Sequence, residues 1–303
     1  MVKTMKAKKV KGMNRQSRGD IAFQWGINVL AIIIATVTLY PLIYCLSASL
    51  SKPLHILSGK VWLFPVEFTW DSYIRVFQSG DILNGYKNTI FYSVTGTCIN
   101  LVLTIMAAYP LSLPDLKGKN FITFLITFTM FFSGGMIPEY FLMRSLGLLN
   151  TRWAMILPGM LGCYNLILMR NYIDGLPDSL EEAATIDGAN DLVVLVKIIL
   201  PLCMPILATL GLFTLVGYWN SYFAAIMYTT KRTMWPLQLV LREIVFEGSA
   251  AEMEAAGAAD ENLTSPFLLR MASIVVATVP IMCVYPFLQK YFMSGLVLGG
   301  VKE

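Results

Sequence analysis

Residues 21–51 read IAFQWGINVLAIIIATVTLYPLIYCLSASLS, from Ile21 to Ser51, without one Asp, Glu, Lys or Arg. A helix crosses the hydrocarbon core of a bilayer with about 20 mostly apolar residues, within a working range of about 17 to 25. A core helix of a soluble protein keeps a charged outer face, which breaks such a run every turn or two. Working outward, five more charge-free runs follow: Asn88 to Pro114, Asn120 to Pro138, Trp153 to Met169, Ile198 to Thr230 and Met271 to Gln289. The whole chain of 303 residues is 56% hydrophobic and 14% charged, whereas soluble domains carry about 25% charged residues. The expected fold is therefore all-α: a polytopic membrane protein with six transmembrane helices.

Upstream of the first run, residues 1–20 hold Lys3, Lys6, Lys8, Lys9, Lys11, Arg15 and Arg18 against the single acid Asp20. Beside a span, such a cluster holds its end of the chain in the cytoplasm; nucleic-acid binding is not expected. Six spans return Lys290 and Lys302 to the same side, so both termini are predicted to be cytoplasmic. The inner segments then carry 13 Lys and Arg and the outer ones 10, together the 23 of the chain. The chain divides into a basic tail (1–20) and one transmembrane domain (21–303), with no internal repeat and no cleavable signal peptide. The loop from about Lys231 to Arg270 lies outside and is expected to form a short helix and a mobile turn at Gly257. Trp62 to Trp70 and Trp235 fit interfacial aromatic belts.

Several chemistries are absent. No Asp, Glu, His or Arg stands inside a charge-free run to serve as a proton or ion relay, the usual reason to keep a charge in lipid. No GxxxxGK[ST] phosphate loop, GxSxG or HExxH pattern occurs. The five cysteines lie one to a run with no CxxC spacing, and His55 is the single histidine, so no metal site is expected. If the protein moves a solute uphill, its energy comes from a partner.

Between the fourth and fifth runs, residues 174–201 read DGLPDSLEEAATIDGANDLVVLVKIILP. Ser179 and Glu182 have capping-box spacing, with Pro177 closing the preceding turn. Asp178, Glu181 and Glu182 would sit at the positive end of the helix. Gly188 can supply the left-handed residue that ends it, and Asn190 or Asp191 can cap a second helix that runs to Pro201. Helix, glycine bend and helix follow, and taken alone they also fit an ordinary capped re-entry loop. The full spacing is more specific: Glu182-Ala183-Ala184, three residues, Gly188, nine residues, then Ile198-x-Leu200-Pro201. This resembles the EAA loop of binding-protein-dependent ABC importers. The resemblance implies that the loop, about residues 171–200, is cytoplasmic and couples to an ATPase through Glu182, Ala183, Ala184, Asp187, Gly188, Ala189, Ile198, Leu200 and Pro201.

Six spans with this loop before the fifth are similar to the smaller permease of maltose-type carbohydrate importers, the type I permease fold. Met130-Phe-Phe-Ser-Gly-Gly-Met-Ile-Pro138, followed by Leu146-Gly-Leu-Leu-Asn150, resembles the branch that serves complex oligosaccharides in Gram-positive bacteria. A Gly-Gly break at a span end would read the same way. The resemblance implies a plasma-membrane assembly of two related permeases, an ABC ATPase dimer and an extracellular solute-binding protein. This chain would be no enzyme and bind no cofactor, ATP and Mg²⁺ belonging to the ATPase subunits. The competing reading is a secondary carrier or channel that works without an ATPase.

Sugars bind through aromatic faces and a few amide or hydroxyl groups in an apolar cleft. Two clusters offer these groups: Tyr164 and Asn165 in the fourth run, and Trp219, Asn220 and Tyr222 in the fifth. Trp219 and Tyr222, at i and i+3, would share a helix face about 27 Å beyond Pro201. The same aromatic residues also suit interfacial anchoring, and the asparagines suit interhelical hydrogen bonding.

Overall fold

The computed structural model describes residues 18–255 and 266–300; the tail up to Ser17, the segment with Gly257, and Lys302 lie outside the described residues. The described residues form helices and turns, with a single β-bridge between Ser51 and Phe68 and no strand. Three helices are long and apolar enough to cross a membrane unbroken: Arg18–Ser49 (span 1), Gly80–Ser112 (span 2) and the Phe267–Val284 part of Pro266–Gly300 (span 6). The other three spans are bent pairs. Span 3 is Lys119–Phe131 with Met136–Ser145, bent by 113°, and span 4 is Arg152–Gly159 with Cys163–Ile173, bent by 48°. Span 5 is Met204–Trp219, set at 77° to the preceding Asp191–Leu202. Counted this way the six-span expectation holds.

The bends of spans 3 and 5 have local causes. Span 3 turns at Gly134 and Gly135, where Gly135 takes φ +85°, a conformation that carries little penalty only for glycine. Span 5 bends at Cys203, between Pro201 and Pro205. The Pro205 ring would collide with the carbonyl four residues back, at Pro201, and it offers no N–H to bond it. Just before Pro201, Leu195–Ile199 opens into a π-turn. The straight rise of 27 Å expected from Pro201 to Trp219 is therefore corrected: the helix axis restarts at Met204, and 16 residues give about 24 Å.

Span 2 lies at the centre and buries a polar stripe: Asn88, Thr89, Ser93, Thr97, Asn100 and Thr104. Its outer half holds the chain that leads into helix Leu237–Ala255. Asn88 Nδ2 donates to the carbonyls of Thr233 (2.8 Å) and Trp235 (3.0 Å), Tyr92 OH donates to Met234 O (2.8 Å), and Leu237 N–H donates to Thr89 Oγ1 (2.8 Å). That helix is continuous through 19 residues and starts well before the short helix expected around Gly248, because Leu237, Val240 and Leu241 pack with Ala272, Val276 and Ala277 of span 6. Span 2 meets span 5 closely at two glycines, Gly96 beneath the Tyr218 ring and Gly211 beside Leu101. In lipid, such close packing and polar contacts hold helices together, since the tails are as apolar as leucine.

Candidate functional site

At one end of the bundle the chain leaves span 4 at Ile173 and projects as helix Ser179–Ile186. The capping box expected there does not form. Asp178 already has helical dihedrals, φ −58° and ψ −29°, and no side chain caps the end. The carbonyls of Pro177 and Asp178 take the first N–H groups, from Leu180, Glu181 and Glu182, so Ser179 lies inside the first turn and not before it. The far end follows the sequence. Gly188 has φ +81° with open space around it, and Ala189 N–H bonds back to Ala184 O at 3.0 Å. Of the two candidate caps Asn190 acts: its Oδ1 accepts from Val193 N–H at 2.9 Å.

The loop has two faces. Ala184 is buried, with Val194, Ile199 and Cys203, in a cluster built on Ile105, Ala108 and Leu111 of span 2 and Leu166 and Met169 of span 4. Ala189, Ile198 and Leu200 pack against that cluster. Glu182, Ala183, Asp187, Gly188 and Pro201 are exposed. Among them stands Ile186, 85% exposed, with Leu192 at 70%. Sequence reading did not single out Ile186 as an exposed apolar side chain; its signal is an isoleucine two residues before a glycine bend, off the buried stripe. The Glu181 carboxyl is pushed above its usual range, first by burial and then by Asp178 and Asp191.

Along the bundle runs an open groove of about 370 Å³ between spans 2, 4 and 5. Tyr164 and Asn165 line it with Asn100, Phe213, Thr214, Tyr218 and Ser221. Asn165 Nδ2 donates to Thr214 Oγ1 (3.1 Å) and Asn100 Oδ1 (3.3 Å), and Asn100 Nδ2 reaches Gly159 O (3.3 Å). Thr214 Oγ1 has Asn100 Oδ1 at 3.2 Å and Leu210 O at 2.9 Å as acceptors for its one proton. The groove therefore holds amide and hydroxyl groups in an apolar frame with no charged side chain in its lining. Asn100 and Thr214 were missed in the sequence, although an asparagine in mid-span is costly enough to be a signal.

The fifth-run cluster is dispersed. Trp219 is buried among Val76, Ile82, Leu237 and Val240 and meets Tyr86 edge to face at 6.4 Å, so it is corrected from groove-lining residue to core residue. The helix ends there, with exposed Asn220 as C-cap, and Tyr222 begins a separate turn, Phe223–Tyr228. The i, i+3 geometry expected of Trp219 and Tyr222 needs one continuous helix and is not present. Tyr222 is exposed beside Ser221 and carries the guanidinium of Arg242, whose Cζ lies 5.1 Å from the ring centroid.

Comparison with known proteins matches residues 85–297 to the family described as binding-protein-dependent transport system inner membrane component. The chain belongs to that family. This permease is 41% identical over 271 residues to the polygalacturonan/rhamnogalacturonan transport system permease protein YtcP of Bacillus subtilis (strain 168), covering 89% of this chain and 95% of that one. It is 40% identical over 270 residues to protein LplC of the same organism, covering 89% and 91%. Its fold matches a chain from the crystal structure of a bacterial ABC transporter involved in the import of the acidic polysaccharide alginate. The TM-score is 0.83 at 38% identity, over 91% of this chain and 98% of that one. The permease is thus a multi-pass membrane subunit of an ABC importer, a transport subunit whose ATPase and solute-binding protein are separate chains. A carrier or channel that works without an ATPase has no support beside this membership.

Proposed function

We propose that this chain is the smaller permease of an importer for oligosaccharides and that residues 171–200 pass ATPase motion to its spans. The observation that carries the coupling role is the two-faced loop: Ala184 is seated on spans 2 and 4, while Glu182, Ala183, Ile186, Asp187 and Gly188 stand free at the tip. A push on such a tip moves both spans as one body, because the buried face is continuous with them. Ala189, Ile198, Leu200 and Pro201 continue the lever into span 5. The carbohydrate reading is supported by the relatives' names and by the groove's amide, hydroxyl and aromatic lining, the chemistry that suits sugars. Tyr164 and Asn165 line the proposed path, with Tyr222 and Asn220 at its mouth.

The assembly would hold a second, homologous permease in the plasma-membrane bilayer, an ATPase dimer that binds ATP and Mg²⁺, and a solute-binding protein outside. Residues 1–20 form the cytoplasmic tail of the domain 21–303, and both termini are cytoplasmic. A β-branched residue at the φ of Gly188 is strained by about 1–2 kcal/mol. Gly188→Val should therefore leave the permease in the membrane but abolish substrate-stimulated ATP hydrolysis by the reconstituted complex. Normal uptake by a fully expressed Gly188→Val permease would remove this bend from the coupling path.

A further inference from the structure

We propose that Arg242 is a carboxylate-binding residue at the mouth of the groove, where it takes the acid group of uronate-type sugars; the assignment rests on the carbohydrate reading above. Arg242 is exposed on helix Leu237–Ala255. Its Cζ lies 5.1 Å from the ring centroid of Tyr222 and 5.2 Å from that of Phe246. Tyr222, which carries the guanidinium, directly follows Ser221 of the groove lining.

Attraction to aromatic rings holds a guanidinium in place without giving its N–H groups an oxygen acceptor. Among the described residues no carboxylate lies within ion-pair distance of Arg242 and no acceptor takes its N–H groups. Its neighbour Arg232 differs. Arg232 stacks on Trp235 at 5.3 Å and is also bonded to Asp81 (3.4 Å) and Glu243, which lies next to Arg242 in sequence. Carboxylates near this end of the bundle thus neutralise one arginine and leave the other's fork of donors open toward solvent.

A planar donor fork held beside two rings matches a planar carboxylate. A uronate brings both halves of what this mouth offers: a carboxylate for Arg242 and an apolar ring face for the exposed Tyr222. A neutral sugar would leave the cation without a partner. The deeper groove lining has no charged side chain, so the acid group is recognised at the mouth and hydroxyls are read further in. The structural neighbour's acidic polysaccharide agrees with this chemistry.

Equilibrium dialysis against the assembled importer, purified in lipid nanodiscs, measures binding of trigalacturonate and of its neutral trimethyl ester. Wild type should hold the acid about tenfold more tightly, as a charge-assisted contact allows. Arg242→Gln should bring the two probes level by weakening the acid alone, and Arg242→Lys should recover part of the preference. Equal affinities in wild type, or an acid preference that survives Arg242→Gln, overturn the assignment and leave the carbohydrate reading standing. Equal loss of both probes in an Arg242→Gln complex that still assembles makes the residue structural and also overturns it. A wild-type complex that holds neither probe overturns this assignment as well.

Discussion

A β-carbon added to Gly96 would fall 2.5 Å from two ring carbons of Tyr218, and that ring is pinned by its hydroxyl donating to Ile156 O at 3.0 Å. The ring cannot swing away as a free side chain would, so spans 2 and 5 must part. Gly96→Ala is expected to cost about 1–3 kcal/mol, the usual range for overpacking, and to lower the thermal midpoint of the purified complex. Adding Tyr218→Ala should return part of the loss. No change in midpoint for Gly96→Ala would show that these helices do not meet as described. Residues with local duties were the ones legible in the sequence. Gly188 ends its helix and Asn190 caps the next because each acts on backbone within three or four residues. Trp219 was misjudged because its neighbours, Tyr86 and Leu237, come from distant parts of the chain. Asn100 likewise finds Asn165 and Thr214 only once three spans are together.

Within helix Ser179–Ile186 two effects oppose each other at Glu181. A carboxylate in the first turn is favoured by the helix dipole, yet burial and the nearby Asp178 and Asp191 raise its pKa. The net rise means that the folded loop binds this proton more tightly than the unfolded chain does. Stability from this group is therefore fully present below the ordinary carboxylate pKa and is lost as pH rises through the raised value. Glu181→Gln should raise the thermal midpoint at pH 8, and its advantage over wild type should vanish as pH falls below the carboxylate range. A gap that stays constant with pH would assign the effect to something other than ionisation. Element boundaries were legible where charge marks them, as at the C-terminal ends of spans 1 and 2, but not at the start of span 2, whose helix begins at Gly80 and takes in Asp81 and Lys87. The bend at Cys203 was not, because a charge-free run records solubility in lipid and says nothing of axis direction. Pro201 and Pro205 carried that signal in plain view. The capping box failed for a related reason: Asp178 continues into helical dihedrals, so Ser179 never reaches the extended conformation a cap needs.

For the molecule as a whole, the proposed sidedness rests on the six spans and the basic tail together. In a variant with Cys45, Cys98, Cys163, Cys203 and Cys283 replaced by serine or alanine, single cysteines at Lys117 and Ile186 should resist impermeant maleimides in intact cells. One at Lys231 should react. All three positions are exposed in the folded chain, so protection at Lys117, away from the coupling tip, reports the membrane side and not burial within the chain. Labelling of Ile186→Cys from outside would invert the topology and remove the loop from the ATPases. The Asn100–Asn165–Thr214 triad has a further consequence, for the order in which the chain enters the bilayer. Asn100 and Thr214 are 114 residues apart. At about 5–20 residues per second of synthesis, span 2 waits on the order of ten seconds for Thr214 to reach Asn100, and longer for the residues 233–237 that bond Asn88 and Thr89. Through that interval its polar stripe faces either lipid or the insertion machinery, and an amide without a partner is disfavoured in hydrocarbon. Span 2 therefore completes its polar contacts only with chain made long after it, so its burial is settled late in biogenesis.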